Sequence, residues 1–587
     1  MNRKMSRENK ETKIWQEYQA GLRFQRSMGF SEKFPEYERF KEGEQWPSVT
    51  ERTRALPRPV FNIVKLFVSN KKANVLSQNI KMIYTPAETG TNPTGEDEIT
   101  EHAIKGATDY TDYASWLWYD LNQDTLNDKV VEDAATTGTG IFHYYWDSSI
   151  KGGEETPYIG ALRGENIDPL NFFVANPQES NVQKQEWVII SSRDTVKNVR
   201  EFAKENGVEK KYMELILPDT DISAEGYDTA RLEQDGTEKI TVLTKYYKKD
   251  GQVRFSKATR AVMLAEDKSL TPTIISEEEI KEKLLRGEEL ERLPNPIDLY
   301  PIAVFNWQSR KKCIFGTGEV DGIIPNQKAI NFNIAMMLLS VQDNAWPKLL
   351  VKPGALRKTV TNMPGEILTD YYTSGDGVKY MQPPNFNYMA VNLVDKVMEL
   401  SRTTSGVTEV ATGETLGANM AASAIVALQN QAKVPIDNIQ KRFYRCIKEV
   451  GKIWEQFFKT YYNTGRSMIT QRVGGGQDAR TFTGTDYSHV EFNLKIDVGA
   501  SSIYSEALAL STLDKLFDTG NISIDEYIEL VPDTVMPFKN TLKKMREAKT
   551  LQQGEETSFG NMQAGQSQNT GGQMSREGGI MNDMLGM

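Results

Sequence analysis

The chain has 587 residues, of which 39% are hydrophobic and 26% charged, with a formal net charge of -10 and a pI near 5.3. At roughly 100–200 residues per domain, this predicts three to five domains or one large elaborated one. The acidic balance excludes a protein that grips nucleic acid through a broad basic surface, though not one that lets a duplex slide past with weak attraction.

The longest apolar run near the middle, Ala335–Val341, is too short to cross a bilayer. The charged start, Met1–Lys13, has no apolar segment behind it, so no secretory signal is expected. Cys313 and Cys446, the only two cysteines, both sit beside apolar residues, which predicts buried thiols in a reducing cytoplasm.

In chain order, Ile14, Trp15, Tyr18 and Leu22 predict a helix over Thr12–Phe24. Phe40–Pro47 reads as a turn with an aromatic anchor, and Arg58–Val68 as a second helix with proline near its start. Thr85–Glu98 is expected to be a surface loop, and Asp109–Ala135 one helical stretch. Thr136–Gly140, rich in glycine, leads into a strand at Ile141–Trp146 that turns at Asp147.

Asn166–Val174 and Glu186–Ser191 predict further strands, with Asp194 and Thr195 capping a short helix. Lys239–Phe255 predicts a hairpin turning at Lys249–Gly251. Ser276–Glu291 reads as a charged, solvated helix with Ile280, Leu284 and Leu285 on one side.

From Tyr300 to Trp307 the pattern is that of a buried strand, and Phe315–Gly318 turns it into a helix running from Glu319 to about Asn344. That helix interleaves Ile330, Ile334, Met337, Leu338 and Val341 with the amides Asn326, Gln327, Asn331, Asn333 and Gln342. A small strand-rich excursion follows through Lys348–Val351, Gly365–Leu368 and Val378–Tyr380, then a helix at Asn392–Thr404. Val407–Met420 carries Gly413, Gly417 and threonines and predicts a loop able to move, which composition alone reads equally as an ordinary interdomain linker.

The longest helix is expected from Ser423 to Tyr462, roughly 60 Å if straight. Pro435 inside it removes an amide donor and clashes with the preceding turn, a defect of about 3 kcal/mol or more that predicts a bend. Ile436, Ile439, Phe443, Cys446, Ile447, Val450, Ile453, Trp454, Phe457, Phe458 and Tyr461 form its apolar side; Lys441, Arg445, Lys448, Lys452 and Lys459 form a basic stripe beside it. Two such faces imply two neighbours. Val490–Val498 then alternates as a strand, and Tyr504–Asp518, Ile524–Leu530 and Pro537–Lys549 read as helices. The polar Gln552–Met587 is expected to be disordered.

Catalytic chemistry is hard to find. His102, His143 and His489 are far apart, and neither HExxH nor CxxC occurs, so no catalytic residues, metal or cofactor are predicted. The Gly138-Thr139-Gly140 segment is not followed by Gly-Lys-Ser/Thr and so makes no P-loop. Pro218-Asp219 with Glu279-Ile280-Lys281 has the acid-x-lysine pieces of a metal-dependent nuclease, but about sixty residues separate them. Asp219 with Asp221 reads as an exposed turn before it reads as a cation pair.

The order of several pieces carries more weight than any one of them. These are Gly43–Pro47 with Arg58–Asn62; the IDPLNFFVANP stretch from Ile167; Pro301–Phe305 with the Gly316–Gly318 turn; and the helix, loop and long helix around Val407–Tyr462. In this order, over about Trp15–Lys549, the chain resembles a portal protein, the head-to-tail connector of tailed double-stranded DNA bacteriophages.

The resemblance implies an α+β subunit made of a mixed wing, a two-helix stem, a small clip, a long kinked helix and a helical crown. Its parts would fall as follows: wing with N-terminal helices, 1–315; first stem helix, 316–344; clip, 345–387; second stem helix, 388–406; tunnel loop, 407–422; long kinked helix, 423–462; wing strand return, 463–503; crown, 504–551; polar tail, 552–587. It further implies a ring, usually of twelve subunits, at one capsid vertex of the virion, assembled in host cytoplasm without membrane contact. Double-stranded DNA would be packaged and ejected through the ring, with terminase, major capsid and scaffolding proteins, and head–tail adaptors as partners.

The tunnel loop would present Val407, Thr408, Glu409, Thr412, Gly413, Glu414, Thr415, Gly417 and Asn419 to the DNA. The stem amides Asn326, Gln327, Asn331, Asn333 and Gln342 become candidates for the channel wall. The basic stripe would touch either DNA or acids of the next subunit, and the subunit interface is favoured. The charged insertion at 276–291 and the polar tail depart from the family pattern. The competing readings are another head–tail connector or minor capsid protein, and a DNA-processing nuclease.

Overall fold

The computed structural model describes residues 12–54, 56–87, 96–153, 157–219, 238–272, 295–345, 348–361, 369–371, 377–381, 389–406, 422–471, 477–498, 503–531 and 542. They divide into two compact units, one of residues 1–468 and 480–499, the other of 469–479 and 500–587.

In the first unit, α1 (Lys13–Ser27) starts where the Thr12 hydroxyl accepts the Trp15 amide at 3.2 Å, and it buries Ile14, Trp15, Tyr18 and Leu22 as expected. Next comes α2 (Phe30–Glu42), where sequence reading gave only a turn at 40–47. Gly29 and Gly43 flank it with φ of 72° and 94°, and Phe30, Phe34, Tyr37 and Phe40 line its buried side. The third helix, α3 (Ile63–Val75), begins four residues beyond Pro59 rather than at it, because Asn62 caps the Lys65 amide at 3.0 Å. Residues 46–59 instead form a closed loop, with Trp46 Nε1 donating to Pro59 O and Arg58 to Pro47 O, each at 2.9 Å.

Strand β1 (Ile80–Pro86) takes up the start of the expected 85–98 loop, and α4 (Glu96–Asp120) takes up its end. The single helix expected over 109–135 is in fact two, because Asn122 adopts φ 50° between α4 and α5 (Gln123–Thr137). Strand β2 (Thr139–Gly152) does not turn at Asp147; it continues and pairs with β3 (Tyr158–Ile167), with only a register shift between Asp147 and Lys151.

A five-stranded antiparallel sheet is formed by β4 (Phe172–Val174), β5 (Trp187–Thr195), β6 (Lys239–Lys249), β7 (Gln252–Ala258) and β8 (Met263–Ser269). Its β6–β7 turn uses Asp250 and Gly251 at φ 54° and 74°, the left-handed pair that a tight hairpin requires. Helix α1 covers one face through Tyr18 on Phe173, with ring centroids 4.9 Å apart. The other face packs at one end on α6 (Val196–Glu205), capped by Thr195; the short α7 (Lys210–Met213) follows. Strand β9 (Ile302–Asn306) completes a three-stranded sheet in the order β3-β2-β9.

Helix α8 (Val320–Ala345) leaves this core, β10 (Leu349–Val351) pairs with β11 (Val378–Tyr380), and α9 (Met389–Ser405) returns. The long helix α10 (Ala422–Tyr461) is then the core's central rod. Its Phe443 packs on Phe305 and its Trp454 on Tyr144 and Trp118, at centroid distances of 5.3, 5.8 and 6.3 Å. Phe443, Ile447, Val450, Trp454, Phe457 and Phe458 are fully buried, each worth about 1.5–3 kcal/mol in apolar transfer. A hairpin, β12 (Arg466–Gln471) with β13 (Gln477–Phe482), follows, and β14 (Phe492–Val498) runs back to pair along the whole of β1.

In the second unit, α11 (Ile503–Asp518) and α12 (Ile524–Leu530) lie where the sequence put them. Ser523 and Glu526 form a capping box, and Phe517 meets Tyr527 at 5.1 Å. The expected helix at 276–291, the strand at 365–368, the loop at 407–420, the helix at 537–549 apart from residue 542, and the polar tail lie outside the described residues.

Candidate functional site

The helix pair α8–α9 is the feature that departs from the compact core, and its root is built from two glycine segments that cross. Gly138, at φ 109°, would place a Cβ 2.6 Å from the Gly316 carbonyl carbon; one on Gly316 would lie 2.3 Å from Gly138 O, and one on Gly318 2.5 Å from Thr136 O. Only glycines allow main chains to approach this closely. The crossing is then stitched by Trp307 N–H to Gly138 O (3.0 Å), Gly316 N–H to Thr139 Oγ1 (2.8 Å) and Glu319 N–H to Ala135 O (2.8 Å). The Gly-Thr-Gly run at 138–140 thus serves packing.

Charges and amides fix α8 from that crossing onward. Lys71 of α3 and Glu319 form a buried ion pair at 2.6 Å, and Trp307 Nε1 donates to the same carboxylate at 2.8 Å. Tyr37 donates to Asp321 at 2.5 Å; burial and that carboxylate push the phenol pKa well up.

One turn further on, Gln327 is fully buried. Its Oε1 accepts the Ile63 and Val64 amides at 2.9 and 3.4 Å, and its Nε2 donates to Phe61 O at 2.7 Å and Asn331 Oδ1 at 2.9 Å. Asn331, also buried, donates to Gln45 Oε1 at 2.7 Å, and Gln45 donates to Asn62 Oδ1 at 3.1 Å. Four side-chain amides therefore bolt α8 to the start of α3.

This corrects the expectation that Gln327 and Asn331 face a channel: a buried amide with every bond made inside its own subunit is structural. Asn326 is half-buried and donates to Ser401 Oγ of α9 at 3.0 Å, joining the pair. Asn333 is also half-buried and donates to Ala329 O of its own helix at 2.8 Å. Gln342 is exposed.

Beside the root lies a group of carboxylates. Burial pushes Asp133 up to about 7, against a 2.6 Å hydrogen bond from Asn166, with Asp168 and Glu38 adding to the rise. Burial also raises Asp168 and Glu38. Burial acts the same way on Glu132, but hydrogen bonds from Lys72 (2.8 Å) and Lys41 (3.0 Å) outweigh it and hold that carboxyl low.

Beyond the root α8 exposes large apolar side chains as far as Val341, and α9 exposes its own among Asn392, Asp395, Lys396 and Glu399. Phe332, Met336, Leu338 and Val341 of α8 and Met389, Leu393 and Leu400 of α9 are between 45% and 74% exposed. No residue from Ala329 to Gln342 is charged.

Helix α10 runs through the exposed Pro435 as one helix, so the proline does not break it. Of its basic stripe, Lys441, Arg445, Lys448 and Lys452 are exposed. Lys459 does not belong with them: its side chain is 13% exposed and paired with Glu455 at 2.7 Å. The loop candidates Val407, Thr408, Glu409, Thr412, Gly413, Glu414, Thr415, Gly417 and Asn419 lie outside the described residues.

Two of the residues weighed for catalysis, Asp219 and His143, are held in structural contacts; Asp221, Glu279 and Lys281 lie outside the described residues. Asp219 accepts Arg193 Nη1 at 2.5 Å and the Thr241 amide at 2.9 Å, which ties 219 to β6. His143 bridges Glu165 (2.8 Å) and Tyr246 (2.9 Å), linking the two larger sheets. Cys313 and Cys446 are buried free thiols, and burial pushes the Cys446 thiol far up. Among the described residues no group of three or more His, Cys, Asp or Glu is placed to hold a metal, and no helix is long and apolar enough to cross a membrane. Sequence reading missed the Gln45–Asn62–Gln327–Asn331 lattice; its one signal was two amides four residues apart on one helix.

No curated protein matches the chain. The family model described as phage P22-like portal protein matches residues 25–574. A match of that span, on a mixed helix-and-sheet subunit with a rigidly rooted helix pair, means that this chain belongs to the P22-like phage portal protein family.

Proposed function

We propose that copies of this chain close into a ring at one vertex of the phage head, and that double-stranded DNA is packaged and ejected through its opening. The family is structural rather than enzymatic. The observation that carries the ring is the helix pair: large apolar side chains stand in water along a charge-free stretch of α8, a state a monomer does not sustain at this extent.

In this reading α8 and α9 are the stem, residues 345–387 the clip, 407–422 the tunnel loop and 504–551 the crown. Terminase, capsid, scaffolding and adaptor proteins dock on the ring. The net charge of -10 suits a conduit that must not hold its cargo. The exposed cations Lys441, Arg445, Lys448 and Lys452 pair with acids of the next subunit.

Light scattering and negative-stain micrographs of the purified protein test this. Closed annuli of one mass are expected, and a monomer at every concentration would refute it. Replacing Gly413 and Gly417 with proline is expected to leave the rings intact and to lower the DNA packaged per head; loss of rings instead would make the loop structural.

A further inference from the structure

We infer that neighbouring copies meet at the helix pair through two different flanks: one carrying Phe332, Met336, Met389, Leu393 and Leu400, the other carrying Leu338 and Val341. This rests on the ring reading above and specifies which surfaces form it.

The Asn326–Ser401 contact joins the start of α8 to the end of α9, so the two helices run antiparallel. At about 100° per residue, Phe332 and Met336 fall on one line of α8, roughly 110° from the side that carries Asn326 toward α9. Met389, Leu393 and Leu400 fall on one line of α9, again roughly 110° from the side that carries Ser401. Because the helices are antiparallel, the two lines come out on the same flank of the pair. Leu338 and Val341 lie on the opposite flank, continuing the row that holds the buried Gln327 and Asn331 and the partly buried Ile334 lower down, past the point where the core stops covering it.

Both flanks carry large exposed apolar side chains, and they differ: Lys396, paired with Glu399 at 2.8 Å, stands among Met389, Leu393 and Leu400 on the first, while Asp395 and Arg402 fall on the α9 side of the second. A two-fold dimer would need one self-complementary patch; two unlike patches on opposite sides of one element suit a head-to-tail contact that repeats around an axis. The absence of charge from Ala329 to Gln342 fits burial on both sides. The antiparallel register also sets the height. Counting from Asn326 opposite Ser401, Leu338 lies level with Met389, and a rotation about an axis along the pair preserves height, so Leu338 of one copy is brought to Met389 of the next. Within one copy these two side chains point away from each other, too far for a disulfide.

The test is oxidation of the full-length double variant Leu338→Cys with Met389→Cys, read on a non-reducing gel. Cys313 and Cys446 are buried and give no background. A ladder of covalent dimers, trimers and higher species is expected from the double variant, with neither single variant moving above monomer. A single variant that gives dimers means a two-fold contact and overturns the inference. Intact annuli without any ladder would also overturn it while leaving the ring standing. Monomers by light scattering, in the parent as well, would remove the ring itself.

A second variant guards against a cysteine that disturbs assembly. Leu338→Lys and Met389→Glu should each abolish rings, and together restore them; failure of the pair to rescue counts against the contact.

Discussion

Replacing Gln327 with leucine tests whether the stem is rooted by the buried amide lattice or lines a channel with it. Leucine keeps the volume and removes four contacts: the Ile63 and Val64 amides (2.9 and 3.4 Å), Phe61 O (2.7 Å) and Asn331 Oδ1 (2.9 Å). Some partners retain a second bond, since Ile63 N–H also reaches Phe61 O at 2.8 Å and Phe61 N–H reaches Asn331 Oδ1 at 3.5 Å. Taking about 1 kcal/mol for each contact, the low end for groups left short in a buried site, Gln327→Leu should cost about 3–4 kcal/mol.

A chain of this size need not unfold in one step, so the readout is local. Hydrogen exchange of the Ile63–Leu66 amides and of the first turns of α8 should accelerate by two orders of magnitude or more, since each 1.4 kcal/mol is about tenfold. Gln342→Leu, on the exposed part of the same helix, should change exchange and stability by no more than about 0.5 kcal/mol. If Gln327→Leu left exchange unaltered and changed only DNA passage, the lattice would have no structural weight and the residue would belong to the channel after all.

Gly316→Ala should prevent accumulation of soluble, folded protein, because the new Cβ lies 2.3 Å from a main-chain oxygen that cannot move without opening β2; normal yield and melting temperature would refute the crossing. Lys71→Met leaves Glu319 charged and buried, and is expected to cost about 3–5 kcal/mol by thermal unfolding, most of which should return when Glu319→Gln is added.

For Asp133, raised to about 7 in the folded protein, the native state holds a proton that the unfolded chain has released, so its contribution is fully present near pH 4 and is lost as pH rises through 7. The slope from this residue is at most about 1.4 kcal/mol per pH unit, less with partial solvent access. Asp133→Asn should therefore flatten the melting temperature between pH 5 and 8 and raise it at pH 8; an unchanged profile would mean that Asp133 is solvated.

What the residues alone determined were the elements whose signals are local. The cap at Thr195, the left-handed turn at Asp250-Gly251, the alternation of β14 and the apolar side of α10 each follow from a few neighbours in the chain. The order of another set of pieces, from Gly43–Pro47 with Arg58–Asn62 to the long helix ending at Tyr462, resembled the portal family, and the family match agrees. Helix α2 was missed because only its end, within the turn read at Phe40–Pro47, gave a local signal, while its evidence of helix, four aromatics at helical spacing, takes effect when they meet the core.

Only the tertiary structure decided which polar residues are used inside. Gln327 and Gln342 are the same residue on the same helix, yet one is fully buried in a lattice and the other stands in water. Lys452 and Lys459 fall in one stripe by spacing along the sequence, yet Lys459 is paired within the subunit and Lys452 is exposed. The reason is physical: an amide or an ammonium is stable in water or in a fully satisfied buried site, and which of the two it meets depends on main chain brought from hundreds of residues away, as Phe61 is to Gln327. Glycine behaves likewise, since Gly138 and Gly316 matter only to each other.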